Sequence, residues 1–266
     1  MRDLLLVRQP IDVDIAVEGP VLSVAVVVSA LAAETGWGVE ALHERFGTAR
    51  LRGPDGTRID VAATREEEYP HPGALPVVKT GVPILQDLGR RDFTVHAMAF
   101  RLSDAGIGPS LIDPFLGEND LRLRRLRLLH DGSLADDPTR VFRAARYAAR
   151  LGFETDPGFQ EALRRGVASG AFERISGDRL RRALQETLSE ENRGMAVEIL
   201  GRLGIFAVLV EGWEVPDAVA RKLSEARGPE EAWTSLLSSV PPSLRERIAA
   251  RLNFSRAFRR ATGFPR

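Results

Sequence analysis

Two aspartates one residue apart, Asp12 and Asp14, stand in the stretch IDVDIAV. The alternation of apolar and acidic residues predicts a strand, on which residues i and i+2 share a face. Two carboxylates on one face repel unless a proton or a cation lies between them. Hard oxygen donors so placed suit Mg²⁺ with positions left for phosphates, and they equally suit a solvated strand face. Asp60, in the strand-like run RIDVAA, could add a third carboxylate or sit at an exposed strand end.

A second group, Arg90-Arg91-Asp92, comes directly before the apolar run FTVHAMAF. Three charges beside a core are costly unless paired. A salt bridge capping an element would serve. So would a ligand: guanidinium donates to phosphate or ribose oxygens, and carboxylate accepts from a hydroxyl. The expectation is a partner that is not protein.

The third group lies in DDPTRVFRAARYAARLGF, residues 136–153. Pro138 suits a first helical turn, with Asp136 and Asp137 at its positive end. At 100° per residue Arg140, Arg143, Arg146 and Arg150 fall in one arc, which is a solvated face or a phosphate-binding one. Asp137 and Arg140, at i and i+3, form either a helix-start ion pair or a reader of a base edge, accepting from an exocyclic amine and donating to ring acceptors.

The elements that position these groups change character along the chain. Residues 21–34 predict a helix ending near Gly36 and Gly38, from an apolar run too short to span a bilayer. GVEALHER, TARLR and RIDVAAT are β-like, with Pro54-Asp55-Gly56 a hairpin turn. The proline-rich residues 64–89 predict a long loop. After about residue 120, Arg- and Leu-rich helical patterns take over, with Asp156 and Ser176 as cap candidates. An α/β or α+β head followed by a helical region is the architecture expected. The final stretch, residues 212–266, has weaker periodicity.

Lys plus Arg is 37 and Asp plus Glu is 37, so bulk charge argues for no nucleic-acid partner; only local patches could. Without cysteine there are no disulfides and no thiolate metal sites. With no signal-peptide pattern at its start, the chain is expected to be cytoplasmic and without a membrane partner.

Taken in order, RDLLLVRQPIDVDIAVEG, HERFGTARL, IDVAATREEEYPHPGALPVV, DLGRRDFTVHAMAF, IDPFLGENDL, DDPTRVFRAARYAARLGF and RISGDRLRRALQETL resemble the class II tRNA nucleotidyltransferase and bacterial poly(A) polymerase family. The resemblance implies an α+β fold: a DNA polymerase β-like head over residues 1–129, an all-α neck over 130–211 and a partial helical body over 212–266. It implies template-independent addition of nucleotides from CTP and ATP to an RNA 3′ end, most simply CCA on tRNA, or a CC-, A- or poly(A)-adding variant. Asp12 and Asp14 would hold two Mg²⁺ ions. Arg2 and Asp3 would bind nucleotide; Arg91 and Asp92 would recognise ribose; Asp137 and Arg140 would read the base. Arg143 and Arg146 would contribute to nucleotide binding, and Arg143, Arg146 and Arg150 to RNA binding. Three departures go with it. The family's first strand and Gly-Gly pair are missing before Arg2, His96 stands where asparagine is usual, and the C-terminal region is short. The chain is thus expected to be truncated at both ends, and a catalytically impaired RNA-binding protein of the same fold is the alternative.

Overall fold

A computed structural model describes residues 1–8, 12–103 and 106–264. The chain forms two compact units, one of Met1–Pro70 with Pro76–Arg122, the other of His71–Leu75 with Leu123–Arg266.

In the first unit, a short helix α1 (Arg2–Leu5) precedes strand β1 (Asp12–Val17) and helix α2 (Leu22–Thr35). Three further strands follow, β2 (Gly38–His43), β3 (Thr48–Arg52) and β4 (Arg58–Ala63). The sheet order is β1-β4-β3-β2, with β1 parallel to β4 and the other pairs antiparallel. Strand alternation divides the sheet into two faces. Ala49, Leu51, Val61 and Ala63 are buried with Val24 and Val28 of α2, and Ile15, Val17 and Ile59 pack against them. Asp14, Arg50 and Asp60 therefore belong to the other face. As expected, α2 closes on Gly36, in the left-handed conformation at φ 71°, and the β3–β4 turn uses Gly56 at φ 86°. Burial of α2 is one-sided, however. A single sheet layer covers one flank, and Leu22 and Val26 stay 72% and 69% exposed.

Residues 64–89 are not the long loop predicted. They contain the antiparallel hairpin β5 (Arg65–Glu68) and β6 (Val77–Thr80), then helix α3 (Ile84–Gly89). Glu66 pairs with Lys79 across the hairpin, and buried Thr64 donates to the Val82 carbonyl at 2.5 Å. These cross-chain partners are invisible to a local pattern. A 3₁₀ turn (Thr94–His96), the hairpin β7 (Ala99–Ser103) and β8 (Gly106–Ile112), and helix α4 (Gly117–Arg122) complete the unit. The Asp113 carboxylate accepts from the Gly117 and Glu118 N–H groups at 2.7 and 2.9 Å, satisfying the donors that open α4.

The second unit is nearly all helical, as expected. A two-residue strand β9 (Arg125–Leu126) pairs with β10 (Glu154–Thr155) around α5 (Ser133–Asp136) and α6 (Arg140–Leu151). Then come α7 (Phe159–Ala168), α8 (Ala171–Arg174), α9 (Gly177–Leu188), α10 (Arg193–Arg202) and α11 (Ile205–Leu209). Helix α6 buries Val141, Phe142, Ala144, Ala145, Ala148 and Ala149, a 3.6-residue stripe, together with Arg140 at its first position, and leaves Arg143, Arg146 and Arg150 to the other flank. Burial of Phe142 alone removes enough apolar area to stabilise by about 1.5–3 kcal/mol. Ser176 caps α9, accepting from the Arg179 N–H at 3.4 Å. Asp156 accepts from the Gly158 N–H at 2.8 Å, one residue ahead of α7.

The final stretch is more regular than its periodicity suggests. It forms α12 (Asp217–Glu225), α13 (Pro229–Ser238), α14 (Pro242–Arg251) and α15 (Arg256–Ala261). Trp233 is packed edge-on by Phe254 and Phe258 at centroid distances of 5.8 and 5.2 Å. No described helix is long and apolar enough to cross a membrane.

Two glycines give opposite expectations. A Cβ on Gly117 would lie 2.2 Å from the Thr94 carbonyl oxygen, which is backbone and cannot rotate away. Gly117→Ala should destabilise by about 1–3 kcal/mol. A Cβ on Gly201, in α10, would meet nothing within 4 Å. Gly201→Ala should stabilise by about 0.5–1 kcal/mol through helix propensity. Urea midpoints of the two variants should move in opposite directions; a Gly117→Ala midpoint at or above wild type contradicts the packing.

Candidate active site

On the open face of the first unit's sheet, Asp14 lies directly across from Asp60 in the β1–β4 register. Two carboxylates at neighbouring positions repel, and the sheet resolves this by giving one of them a cation. Arg50 on β3 donates to Asp60 through both Nε (2.7 Å) and Nη2 (3.0 Å), a bidentate pair across β3–β4. Asp14 is exposed and has no hydrogen bond or ion pair among the described residues. The Met1 amino group feels the charges of both Asp14 and Arg91. Asp12 begins β1 two residues earlier, opposite Arg58; its side chain lies outside the described residues. No three-membered cluster of His, Asp and Glu that could hold a metal is present among the described residues. The donor chemistry nonetheless suits a hard divalent cation: oxygen ligands on an exposed strand, uncommitted at Asp14.

The charged triplet departs from expectation, because protein pairs all three residues. Asp87 on α3, only 2% exposed, is the hub. It accepts from the Arg65 N–H (3.0 Å), from Arg90 Nε and Nη2 (3.1 and 2.9 Å) and from Arg91 Nη2 (3.2 Å). Burial alone would raise the Asp87 pKa. The Arg90 charge, the Arg65 N–H and Arg91 outweigh it and hold the carboxyl below its usual range. Arg90 also reaches Glu67 at 3.1 Å, and Arg91 donates to the His96 carbonyl at 3.1 Å. The Arg91 Nε is buried with no partner among the described residues. The hairpin and helix that replace the predicted loop supply Glu67 and Asp87, and this is why the ion-pair reading was not the one preferred.

Asp92 is buried and accepts at Oδ1 from the Phe93 N–H (2.9 Å) and from His96 Nδ1 (2.7 Å). His96 Nε2 lies 2.8 Å from Arg2 Nη1. Arginine can only donate and an ionised aspartate can only accept, so these contacts place the imidazole proton on Nδ1 and leave Nε2 to accept. Arg2 in turn binds Asp3 through Nε (2.8 Å) and Nη2 (3.0 Å). Three of the anticipated nucleotide-binding residues, Arg2, Asp3 and Asp92, are thus joined through His96, which acts as a hydrogen-bonding bridge.

The second unit holds the remaining candidates. Helix α6 starts at Arg140 rather than at Pro138, so Asp137 and Arg140 do not share a helical face. Asp137 is extended (φ −134°, ψ 99°) just beyond α5. Its Oδ1 accepts from Thr139 N–H and Oγ1 at 3.0 and 2.7 Å and from Arg179 Nη2 at 2.9 Å. Arg140, 5% exposed, donates to the Ser133 carbonyl at 3.4 Å. Two members of the arginine stripe are paired with α9 and the turn after it. Arg146 binds Glu186 and Glu190 at 2.6 and 2.9 Å, and Arg150 binds Glu190 at 2.5 Å. Burial opposes ionisation of Glu190, but Arg150 and Arg146 prevail and lower its pKa. The Arg143 and Arg150 guanidinium groups each lie 5.5 Å from the Tyr147 ring centre.

Comparison with known proteins decides the family. A family model described as the poly A polymerase head domain matches residues 1–127. The A-adding tRNA nucleotidyltransferase of Geobacter sulfurreducens is 40% identical over 205 residues, covering 77% of this chain and 23% of that protein. The CC-adding tRNA nucleotidyltransferase of Deinococcus radiodurans is 34% identical over 265 residues, covering 94% of this chain and 65% of that one. The chain belongs to the class II tRNA nucleotidyltransferase and poly(A) polymerase family.

Solved structures of this family agree. An apo CCA-adding enzyme superposes with a TM-score of 0.82 at 28% identity, over 98% of this chain and 64% of that one. A CCA-adding enzyme with ATP and one with CTP each superpose with a TM-score of 0.75 at 28% identity. These cover 97% of this chain and 60% and 62% of the respective structures. The first unit is a DNA polymerase β-like nucleotidyltransferase head. The chain spans about a quarter of the length of two A-adding relatives, those of Geobacter sulfurreducens and Aquifex aeolicus (23% and 27%), and 41% of a third.

Sequence reasoning about this chain overlooked Asp87, Glu67 and Arg179. Asp87 had a local signal, lying three and four residues before Arg90 and Arg91 on a helix end. Arg179 had none, because 42 residues separate it from Asp137.

The lowered pKa of Asp87 makes a stability prediction. A carboxyl whose folded pKa lies below its unfolded value, about 4, contributes fully above that unfolded value. The contribution disappears as pH falls through the folded pKa. Asp87→Asn should lower the urea midpoint at pH 7 and remove part of its fall in acid. Parallel pH curves for variant and wild type contradict the pairing.

Proposed function

We propose that this chain adds nucleotides from CTP and ATP, without a nucleic-acid template, to the 3′ end of tRNA. CCA addition is the simplest form, and the relatives named A-adding and CC-adding make a partial reaction an equal variant. The observation that carries the reading is Asp14, an unpaired carboxylate on the open face of a nucleotidyltransferase head whose neighbour Asp60 is already neutralised.

Asp12 and Asp14 would hold two Mg²⁺ ions. Bound there, Mg²⁺ supplies charge neutralisation for the triphosphate and lowers the pKa of the attacking 3′-hydroxyl. The chain's own residues supply position. Asp92, fixed by His96 and the Phe93 N–H, would accept from a ribose hydroxyl, and Arg91 would donate beside it. Arg2 and Asp3 would complete the nucleotide contacts of the head.

In the helical unit, Asp137 would accept from the exocyclic amine of cytosine or adenine while Arg140 donates to a ring nitrogen. Guanine and uracil present a carbonyl oxygen where that amine would be, so the carboxylate repels them. Arg143 and Arg146 would support the nucleotide, and together with Arg150 they would receive RNA phosphates. For Arg146 and Arg150 this requires exchange of Glu186 and Glu190 for phosphate. We read residues 1–129, 130–211 and 212–266 as head, neck and partial body.

The test uses labelled CTP or ATP, Mg²⁺ and tRNA ending before CCA, before the final A, or complete. Incorporation is expected on both incomplete tRNAs for CCA addition and on one of them for a CC- or A-adding variant. Asp12→Ala and Asp14→Ala should each reduce it on the order of 10³-fold, the scale of several kcal/mol of transition-state stabilisation. No incorporation on any tRNA, or full activity in Asp14→Ala, overturns the proposal. Asp137→Ala should lower selection against GTP and UTP more than it lowers triphosphate affinity, and equal losses for all four nucleotides remove its base-reading role.

A further inference from the structure

We infer that Arg179 is a positioning residue for nucleotide choice: it completes the occupation of one oxygen of Asp137 so that the other faces the base. The inference rests on the base-reading role of Asp137 given above.

All three hydrogen bonds to the Asp137 carboxylate converge on Oδ1, from the Thr139 N–H, the Thr139 Oγ1 and Arg179 Nη2. Among the described residues none reaches Oδ2. A carboxylate offers about four lone-pair positions over two oxygens, so three donors on one oxygen leave acceptor capacity on the other. The terminal torsion of aspartate is broad and weakly restrained by itself. Both Thr139 donors approach from one neighbouring residue. Arg179 comes from a different element, the first turn of α9, and restrains the carboxylate from a second direction.

Arg179 is itself clamped. Its Nη1 donates to the carbonyls of Gly73 and Ala74 at 2.9 and 3.4 Å. The His71–Leu75 segment that provides them belongs to the helical unit, and the Gly73 N–H donates to the Ala135 carbonyl at 2.8 Å, two residues before Asp137. Gly73 has φ +74°, and a Cβ there would lie 2.7 Å from the Ala171 carbonyl oxygen. Only glycine lets the segment lie this close without strain. One planar guanidinium therefore links a carboxylate on one side to two carbonyls on another, a geometry that a lysine ammonium does not reproduce.

The test compares Arg179→Met, Arg179→Lys, Gly73→Ala and Asp137→Ala, with the Arg179→Met/Asp137→Ala double variant, all in the full chain. The readout is the ratio of incorporation efficiency for CTP or ATP over GTP and UTP, with kcat and KM resolved. Titration of the four nucleotides in the absence of RNA gives the same ratio without turnover, and circular dichroism checks folding. Asp137→Ala is expected to lose selectivity about tenfold, the scale of one base-edge contact. Arg179→Met should lose a comparable part, with little change in KM for the triphosphate. Arg179→Lys should recover only a fraction, and Gly73→Ala, which touches no nucleotide, should shift the ratio in the same direction. The double variant should be no less selective than Asp137→Ala alone. Should Arg179→Met fail to fold, Arg179→Lys and Gly73→Ala decide the matter. If Asp137→Ala loses selectivity while the Arg179 and Gly73 variants keep it, or if the double loss is multiplicative, the positioning role is overturned. If Asp137→Ala itself keeps selectivity, the base-reading role falls, and the inference with it.

Discussion

Because Ile15 and Val17 pack beneath α2, the period of two along β1 sends Asp14 to the opposite face. A slip of one residue would reverse this, carrying the carboxylate under α2 and the aliphatic side chains into solvent. The parallel register with β4 then sets Asp14 across from Asp60, and the antiparallel register with β3 sets Arg50 across from Asp60. From a simple steric rule comes an electrostatic one: of two opposed carboxylates, one is satisfied by protein and the other has no partner among the described residues.

The same division recurs in smaller form. Asp87 is fully committed, holding the Arg65 backbone and two arginine side chains, and it serves as a fixed post for the segment that carries Asp92. Asp92 is held at Oδ1 by His96 and the Phe93 N–H. In the helical unit, Asp137 has one oxygen engaged and the other without a bond among the described residues. Acids that only build structure are buried among donors. Asp14 and Asp137, the two acids proposed for chemistry whose contacts are described, keep acceptor capacity that no described residue takes up.

Much of this was legible in the sequence where cause and effect are close along the chain. β1 followed from alternation, the end of α2 from Gly36, the β3–β4 turn from Asp55-Gly56, and the α9 cap from Ser176. The residues proposed for the site were likewise chosen by type and order. Their partners were not. The expected helix-start pair between Asp137 and Arg140 dissolved because Pro138 and Thr139 stay outside α6, and the partner of Asp137 comes from α9. The arginines of α6 looked free for phosphate because Glu186 and Glu190 lie 40 or more residues away. Residues 64–89 looked like a loop because prolines and glycines mask a short hairpin stabilised mostly across the chain.

The central claim is that Asp14 is uncommitted in order to bind a divalent cation. Electron paramagnetic resonance of Mn²⁺ titrated into the chain with CTP present measures this without requiring turnover. Asp14→Asn is expected to weaken Mn²⁺ binding at least about tenfold, as loss of a charged oxygen ligand should, while Asp60→Asn, whose carboxylate is held by Arg50, weakens it less. Unchanged Mn²⁺ affinity in Asp14→Asn would contradict the claim at its root.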